Sequence, residues 1–363
     1  MNKKIQIVAI AAAIIFSVFV LTSPSDPIPI PEPNSNLKKD FVTILAENLD
    51  KPRAIAVSDD RIFVTEKGGS IRVIQDGTLL ESPLATFRFV DVFDGGLLGI
   101  ALHPDFSNNH FIYVFLTYEE DGNLWNKILR ITESENKLQD AETIFDKIPG
   151  SSFTNGGFIK FGPDGKLYVG TGTVSDSSHL PQDLDSLSGK ILRLNDDGTI
   201  PDDNPFSNSP VYSLGHRNPQ GMTWDNDGNL YEAEFGPEKN DEINLIQAGK
   251  NYGWPEQQCS GNTNFEDAIL CYDPSIEPGG ILFYSGDKLD FEFPFIMASM
   301  RASNLYQLDF EEGPSSQKSI LSGIGRVRDV VQGPDGSLYV ITSNTDGKGF
   351  PDSMDDKLLR IVK

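Results

Sequence analysis

Residues 161–169 read FGPDGKLYV, and two later stretches repeat the pattern, WDNDGNLYE at 224–232 and QGPDGSLYV at 332–340. In each, a first strand-like run leads into an Asp-Gly pair, and a second run follows that opens with Leu-Tyr. An Asp-Gly pair between two such runs is a strong signal for a β-hairpin, because glycine adopts the positive φ that a tight turn needs. These stretches therefore predict a repeated hairpin.

Weaker copies extend the repeat along the chain, at 58–64 (SDDRIFV) and 103–114 (HPDFSNNHFIYV). The matching aromatic residues are Phe63, Tyr113, Tyr168, Tyr231 and Tyr339. The gaps between them are 50, 55, 63 and 108 residues, and the last gap equals two units of 54. A degraded fifth unit should therefore lie in that gap, with strands at Ile281–Ser285 and Ser303–Phe310.

Six units of roughly 54 residues, each with about four short strands, predict an all-β, six-bladed β-propeller with four-stranded antiparallel blades. A β-helix would need a much shorter period, and a β-sandwich pair would not need a regular one. We expect the propeller to occupy residues 40–363. The strand Phe41–Ala46 should close the ring by joining the last blade beside Lys357–Val362.

Hairpin geometry predicts which residues share one end of the propeller. The first strand of a blade lies nearest the axis and the second returns antiparallel, so residues before the first and after the second meet at one mouth. Propellers usually bind ligands in such a concave opening. The predicted mouth contains Pro52–Arg53 with Glu66, Phe93–Asp94, Phe153–Gly156 with Thr171–Ser175, His216–Asn218 with Glu234–Pro237, and Arg326–Arg328 with Ser343–Asp346.

Arginine gathers at this mouth in a strongly acidic chain. The 363 residues carry 30 Lys+Arg against 53 Asp+Glu, a formal net charge of −23, which excludes a nucleic-acid partner. The arginines are Arg53, Arg217, Arg301, Arg326 and Arg328. Together they would focus an anionic ligand and pair with its carboxylate or phosphate groups. The alternative is that each one pairs with a carboxylate of a neighbouring blade, such as Asp329 or Glu234.

The N-terminus has the composition of a targeting segment. Lys3 and Lys4 precede an almost unbroken apolar run from Ile5 to Leu21, which indicates a signal peptide or a short membrane anchor over residues 1–21 and leaves open which of the two it is. Residues 22–39 predict a Pro-rich linker, or equally a disordered stub with no role. We expect an extracytoplasmic protein, secreted or anchored to the outer face of the cell membrane through this segment alone. Export makes a Cys259–Cys271 disulfide the default.

Six strings carry a resemblance to a known family. They are GLLGIALHPDF at 96–106, LSGKILR at 187–193, GHRNPQG at 215–221, GP with DEIN within 236–244, NYGWP at 251–255 and RVRD at 326–329. Together they resemble the glucose/sorbosone dehydrogenase family, soluble quinoproteins that use pyrroloquinoline quinone (PQQ). The resemblance covers nearly the whole chain beyond residue 40, and it implies a six-bladed propeller, in agreement with the repeat.

The resemblance also implies a cofactor site. Arg217 and Asn218 match the pair that contacts the quinone and its reacting carbonyls, and Arg326 and Arg328 match the arginines that hold PQQ carboxylates. Arg301 stands where the family usually has a lysine that contacts PQQ, so charge is kept but shape is not. Asp94 stands where glutamine or glutamate is usual.

Two calcium sites are implied in the same way. Gly236 and Pro237 match the backbone carbonyls that ligate a catalytic Ca²⁺, while Glu242 and the carbonyl of Tyr252 match a structural Ca²⁺ site. Hard oxygen ligands of this kind suit calcium. Taken without the resemblance, Asp241–Glu242 would be a solvated acidic turn.

The chain departs from the family at the general base. Family members carry a histidine that removes the sugar hydroxyl proton and an aspartate that orients it; the matching positions here are Thr154 and Thr173. Threonine has no accessible pKa near neutrality and cannot act as a base unaided. His179, on the loop that leaves Thr173, is a candidate for a relocated base, although an ordinary exposed loop histidine is the alternative.

The sequence thus favours an exported PQQ- and Ca²⁺-dependent oxidoreductase that oxidises a sugar or other alcohol, transfers hydride to the quinone and passes electrons to an external acceptor. Its candidate catalytic residues are Arg217, Thr154 and His179. One alternative is a non-catalytic, Ca²⁺-stabilised propeller that binds carbohydrate or protein. Another is a Ca²⁺ hydrolase of the lactonase type, which ranks last because only Asp94 and Glu234 are evident candidates for the axial carboxylates it needs.

Overall fold

The computed structural model describes residues 41–176 and 178–363. The predicted signal or anchor segment (1–21) and the linker (22–39) lie outside the described residues. Within the described part, helix is confined to the four-residue α1 (Phe106–Asn109) and to two 3₁₀ turns, Leu180–Gln182 and Pro314–Ser316. None of these helices is long and apolar enough to cross a membrane. The expected all-β class is confirmed.

Six antiparallel sheets form the blades of a propeller. The described chain begins with β1 (Val42–Ala46), which belongs to the last blade. Blade 1 contains β2 (Pro52–Val57), β3 (Arg61–Glu66), β4 (Ser70–Gln75), β5 (Thr78–Leu79) and a short extra strand, β6 (Ala85–Thr86). Blade 2 contains β7 (Leu97–Leu102), β8 (Phe111–Glu120), β9 (Asn123–Ser134) and β10 (Lys137–Pro149). Blade 3 contains β11 (Gly156–Phe161), β12 (Leu167–Thr171), β13 (Lys190–Leu194) and β14 (Val211–Leu214).

The remaining blades follow the same order from the axis outward. Blade 4 contains β15 (Pro219–Trp224), β16 (Leu230–Glu234), β17 (Asp241–Ile246) and β18 (Leu270–Tyr272). Blade 5 contains β19 (Pro278–Phe283), β20 (Phe295–Ser299), β21 (Asn304–Leu308) and β22 (Lys318–Ser322). Blade 6 contains β23 (Val327–Gln332), β24 (Leu338–Thr342) and β25 (Leu358–Ile361), and β1 completes it.

The Asp-Gly pairs make the predicted turns. In blade 3 the amide of Gly165 donates to the carbonyl of Gly162 at 3.0 Å, and Gly165 has φ +71°, a conformation that disfavours a side chain. Asp164 also accepts a hydrogen bond from the Tyr168 hydroxyl at 3.0 Å, and Asp225 does the same for Tyr231 at 3.1 Å. In blades 3 and 4 the tyrosine that follows the turn therefore helps to hold it.

The ring closes as predicted. β1 pairs antiparallel with β25, with Val42 opposite Ile361, so strands from the two ends of the described chain share blade 6. The first strands of the six blades contact one another in succession around the axis. Apolar side chains fill the space between blades; in one cluster, Phe115 of blade 2 packs with Ile159 and Val169 of blade 3. The propeller axis is therefore lined by β2, β7, β11, β15, β19 and β23.

Blade 5 is the degraded unit. The strands expected there appear as β19 and β21, but β20 was not anticipated, because the residues between β19 and β20 lack the FGPDGKLYV pattern. Disulfide pairing of Cys259 with Cys271 is present, as expected, and links the loop after β17 to β18.

Candidate functional site

A cavity of about 520 Å³ opens at the mouth predicted from the hairpins. Seven of the sequence-predicted site residues line it: Asp94, Thr154, Arg217, Asn218, Gly236, Pro237 and Arg301. They come from loops of different blades, placed at one end because each blade's first and second strands run antiparallel. Phe93 and Phe153 form an exposed aromatic pair on the same wall, with ring centroids 5.2 Å apart.

Arg326 and Arg328 do not line this cavity, although the sequence predicted that they would converge at the mouth. Both are buried, at 7% and 8% exposure. Arg328 instead lines a small axial cavity together with Arg53, Gln220 and residues of β7 and β11. The arginines therefore do not share one opening: Arg217 and Arg301 line the mouth cavity, whereas Arg53 and Arg328 line the small axial one.

Four of the five arginines are paired with carboxylates. Arg53 bonds Asp94 at 2.7 Å. Arg217 makes two bonds to Asp176, at 2.9 and 3.0 Å. Arg326 bonds Glu277 and Asp346, and Arg301 also bonds Glu277.

The partners suggested from the sequence were wrong. Asp329 accepts hydrogen bonds from the amides of Ile55 and Val330, and Glu234 accepts them from the amides of Arg217 and Asn218. Both carboxylates therefore bond backbone amides, and neither forms an ion pair with an arginine. The alternative that each arginine pairs with a carboxylate of a neighbouring blade holds only in part: Arg326 at the start of blade 6 bonds Glu277 of blade 5, but Arg301 bonds Glu277 within blade 5.

Arg328 is the exception. Its guanidinium contacts the carbonyl of Arg53, the sulfur of Met300 and the side-chain oxygen of Gln220, at 3.4, 3.4 and 2.8 Å. Among the described residues, no carboxylate lies within ion-pair distance of it. Burial, helped by the positive charge of Arg53, lowers the pKa of Arg328 to about 9. The negative charges of Asp94, Asp329 and Asp346 oppose this lowering from a distance, but none of these carboxylates contacts the guanidinium, so an anion that did so would stabilise it.

Glu277 is a carboxylate at the mouth that contacts three cations. Burial alone would raise its pKa, but the positive charges of Arg326, Lys348 and Arg301 outweigh burial and hold the pKa of Glu277 below its ordinary value. Lys348 lies 3.6 Å from Glu277 and also sits over the ring of Phe93. The Glu277 carboxylate therefore stays ionised and anchors three cations.

Thr154 and Thr173 are neighbours, but their two hydroxyls do not bond each other. The Thr154 hydroxyl donates to the backbone carbonyl of Thr173, and the Thr173 hydroxyl donates to the carbonyl of Ser175 at 2.9 Å. Thr154 lines the cavity, whereas Thr173 is fully buried. Neither contact activates a hydroxyl as a base, because both hydroxyl protons point at backbone oxygens.

His179 is not placed to replace the missing base. It is exposed at the start of the 3₁₀ turn and does not line the cavity, so the structure favours the alternative of an ordinary loop histidine. His216 lies close to the site but is fully buried, bonds the Ser213 hydroxyl at 2.8 Å and stacks on Tyr252.

The candidate structural calcium ligands line a cavity of about 10 Å³, room for a single ion or water. Glu242, Glu234 and Tyr252 contribute to its wall. Burial and the charge of Glu234 raise the pKa of Glu242 to about 8, and the same causes raise the pKa of Glu232. One amide, that of Asn244, donates to all three carboxylates, at 3.2 to 3.3 Å. Glu242 is thus part of a buried acidic cluster and not of a solvated turn.

At the candidate catalytic calcium position, Gly236 has a competing partner. Its carbonyl accepts a hydrogen bond from Arg217 at 2.7 Å, and the carbonyl of Phe235 accepts another at 3.0 Å. Pro237 lines the cavity beside it. A guanidinium at this carbonyl opposes a second cation there, so the Glu242 cavity fits Ca²⁺ better.

Sequence reasoning missed Asp176, Glu277 and Lys348. Asp176 lies one residue beyond the segment that the hairpin assigned to the mouth. Glu277 immediately precedes β19, the position that places mouth residues in other blades, but the degraded repeat of blade 5 hid it. Aligning β19 with the other first strands would have found it.

Comparison with known proteins gives one consistent match. The model of the family described as Glucose / Sorbosone dehydrogenase matches residues 49–360. The aldose sugar dehydrogenase YliI of Escherichia coli is 33% identical over 342 residues, covering 85% of this chain and 91% of that protein. Quinoprotein glucose dehydrogenase B of Acinetobacter calcoaceticus is 37% identical over 246 residues, 58% of this chain and 52% of that protein. The PQQ-bound aldose sugar dehydrogenase of Streptomyces coelicolor superposes with a TM-score of 0.78 at 35% identity, covering 88% of this chain and 97% of that structure.

Proposed function

Because this chain belongs to the glucose/sorbosone dehydrogenase family, we propose that it is an exported oxidoreductase that uses PQQ and Ca²⁺ to oxidise a sugar or another alcohol. Electrons then pass to an external acceptor. The names of its relatives, aldose sugar dehydrogenase and quinoprotein glucose dehydrogenase, support the reaction class and the quinone. The Cys259–Cys271 disulfide and the charged, then apolar N-terminus support export.

The observation that carries the proposal is the buried guanidinium of Arg328, which bonds only neutral acceptors. PQQ is a tricarboxylate, and a carboxylate reaching the axis would complete the hydrogen bonds of Arg328 with charge-assisted ones. Arg326 and Arg301 lie nearer the cavity. Both bond Glu277, and each could also bond a carboxylate of the ligand. Asn218 would face the ligand from the cavity wall, where it already bonds the amide of Gly156 at 2.9 Å.

Bound PQQ would supply a two-electron, hydride-accepting quinone, chemistry that no side chain provides. The chain would hold and orient it. Arg217 stands at the cavity wall with its guanidinium fixed by Asp176 and two backbone carbonyls, ready to face a carbonyl oxygen on which negative charge develops. Asp94, paired with Arg53, keeps one edge of the site from holding excess positive charge.

Ca²⁺ would bind in the acidic cluster of blade 4. Carboxylate oxygens of Glu242, with the carbonyl of Tyr252, are ligands that calcium prefers. An ion there would offset repulsion among Glu232, Glu234 and Glu242 and stiffen the loop 251–258 beside the cavity. This role is structural and distinct from hydride transfer.

The proposal is tested by titrating purified protein, saturated with Ca²⁺, with PQQ and then assaying dye reduction with a panel of aldoses and simple alcohols. Saturable binding and substrate-dependent dye reduction are expected. If the quinone spectrum does not change and no substrate reduces the dye, the enzyme proposal fails.

One observation favours a second candidate, a non-catalytic propeller that binds carbohydrate or protein: both positions of the base dyad are threonines with their hydroxyl protons bonded to backbone carbonyls. The double variant Thr154→His, Thr173→Asp separates the two. Dye reduction by the variant but not by the wild type would show that the wild-type chain keeps the cofactor site but does not catalyse the oxidation. Dye reduction by the wild type would exclude this candidate.

A further inference from the structure

The proposed oxidation needs a proton acceptor, and this inference rests on that proposed function. When an alcohol becomes a carbonyl, its O–H proton must reach a base, and a positioned base accelerates such a step by about 10²- to 10⁴-fold. Thr154 and Thr173 cannot serve, since their hydroxyls are donors to backbone carbonyls. His179 is exposed away from the cavity, and His216 is fully buried beneath it.

Three carboxylates line the cavity, and their surroundings differ. The Asp94 side chain is 16% exposed and bonds the guanidinium of Arg53. Glu277 is 7% exposed and holds Arg326, Arg301 and Lys348, so protonation would release three cations together. The Asp176 side chain is 51% exposed and bonds a single cation. Asp176 is therefore the carboxylate that a substrate reaches and that can give its proton to water afterwards.

The position of Asp176 adds a second argument. It lies on the loop that leaves Thr173, three residues beyond that threonine, and lines the same cavity as Thr154. Both of its oxygens bond Arg217, through Nε at 2.9 Å and Nη2 at 3.0 Å. A proton acceptor is thus held against the arginine that faces the candidate hydride acceptor.

We propose that Asp176 is the catalytic base. In the step, the O–H bond of the substrate breaks and its proton joins a carboxylate oxygen of Asp176. The C–H bond on the same carbon breaks, its hydride passes with both electrons to the PQQ quinone, and a C=O bond forms. The alcohol loses two electrons and the quinone gains them.

Arg217 links the two halves of the step. While Asp176 is ionised, its negative charge neutralises the positive charge of the Arg217 guanidinium. Once Asp176 takes the proton, that balance is lost, and the charge of Arg217 becomes available to the negative charge that develops on the reduced quinone. Proton and hydride acceptance therefore favour each other through one side chain.

The test compares Asp176→Asn with Asp185→Asn, an exposed aspartate later on the same loop and outside the cavity. Two quantities are measured: the Kd for PQQ, by absorbance titration, and kcat for dye reduction. For Asp176→Asn we expect kcat to fall about 10²- to 10⁴-fold, with PQQ binding unchanged or tighter because an anion beside Arg217 has been removed. Asp185→Asn should match wild type in both.

Rescue separates a base from a residue that only positions Arg217. Adding Thr154→His and Thr173→Asp to Asp176→Asn should restore turnover, because the new histidine takes over the proton. A kcat within about threefold of wild type in Asp176→Asn would overturn the proposal. So would PQQ binding weakened in parallel with kcat, the result expected if Asp176 merely orients Arg217. If the wild-type protein itself binds no PQQ, the proposed function is wrong, and the assignment of Asp176 as the base is then wrong as well.

Discussion

Arg328 of blade 6 and the acidic cluster of blade 4 are buried charges of opposite sign. Arg328 lies at the axis and bonds only neutral acceptors, while the carboxylate of the next residue, Asp329, bonds backbone amides. In blade 4, Glu232, Glu234 and Glu242 share one face of β16 and β17, and within the described chain no lysine or arginine forms an ion pair with them. Where the chain supplies both partners, as in Arg53–Asp94, buried charge cancels. Buried charge of a single sign instead indicates a ligand of the other sign: an anion at blade 6 and a cation at blade 4.

The largest expected effect comes from blade 4. Calcium at 100 to 1,000 times its Kd should stabilise the protein by about 2.7–4.1 kcal/mol, because an ion that binds only the folded state shifts the equilibrium by mass action. Thermal melts in Ca²⁺ and in EDTA measure it. Glu242→Gln should abolish the difference, while Glu266→Gln, which removes a surface partner of Lys250, should leave it intact. Identical melting temperatures with and without Ca²⁺ would show that the acidic cluster of blade 4 does not bind the ion.

The next effect concerns pH and the carboxylate of Asp329, beside Arg328. Burial raises the pKa of Asp329 to about 6, above its value in the unfolded chain. The folded state therefore holds this proton more tightly, so the contribution of Asp329 to stability is fully present below about pH 4 and is lost as pH rises through about 6, by up to about 3 kcal/mol. Urea unfolding at pH 4 and pH 7 tests this. Asp329→Asn should remove that slope, and a slope of the same size in both proteins would refute the assignment.

Glu277 should behave in the opposite direction. Although burial opposes it, the surrounding cations lower its pKa, so its contribution is present above the unfolded pKa and is lost as pH falls. Glu277→Gln should consequently cost more stability at pH 7 than at pH 4. An equal cost at both values would show that Arg326, Arg301 and Lys348 do not stabilise the carboxylate.

A smaller effect distinguishes the two kinds of buried arginine in the absence of ligand. Arg53→Met leaves Asp94 without its partner and should cost about 1–3 kcal/mol. Arg328→Met removes a cation that has no carboxylate to neutralise it, and should be neutral or stabilising by about 1 kcal/mol. Denaturant midpoints of the two variants decide between these outcomes. Equal destabilisation would mean that Arg328 is as well compensated as Arg53.

The smallest effect is expected at the surface. Arg360 and Asp335 form an exposed pair on blade 6, with side chains 36% and 42% exposed. Arg360→Gln should change stability by less than about 1 kcal/mol, and less still in high salt, because water screens such pairs. A larger loss would show that accessible charge pairs matter as much as buried ones.

The blades could be predicted from sequence because their hairpins are local. An Asp-Gly turn and the tyrosine that bonds it lie within a few residues, so each repeat shows its own register. Blade 5 lost that signature, and β20 and Glu277 were missed with it. Strand direction then placed mouth residues such as Arg217 and Asn218 around one cavity without knowledge of any contact.

Charge balance could not be predicted in the same way. Arg217 finds Asp176 41 residues away, and Arg326 finds Glu277 49 residues away, in each case on another blade. Which carboxylate reaches which guanidinium depends on side-chain packing across blades, which no local pattern records. For the same reason the sequence placed Arg328 at the mouth, and could not show that it lines a separate axial cavity without a carboxylate in contact.

The central claim is that Arg328, the buried cation of blade 6, binds an anionic quinone. Equilibrium titration of wild type and Arg328→Met with PQQ, in the presence of Ca²⁺, tests it most directly. We predict saturable binding to wild type and a Kd about 10- to 100-fold weaker for the variant, the loss expected when charge-assisted hydrogen bonds to a carboxylate are removed. Equal affinity in both proteins, or no binding to either, would contradict the account.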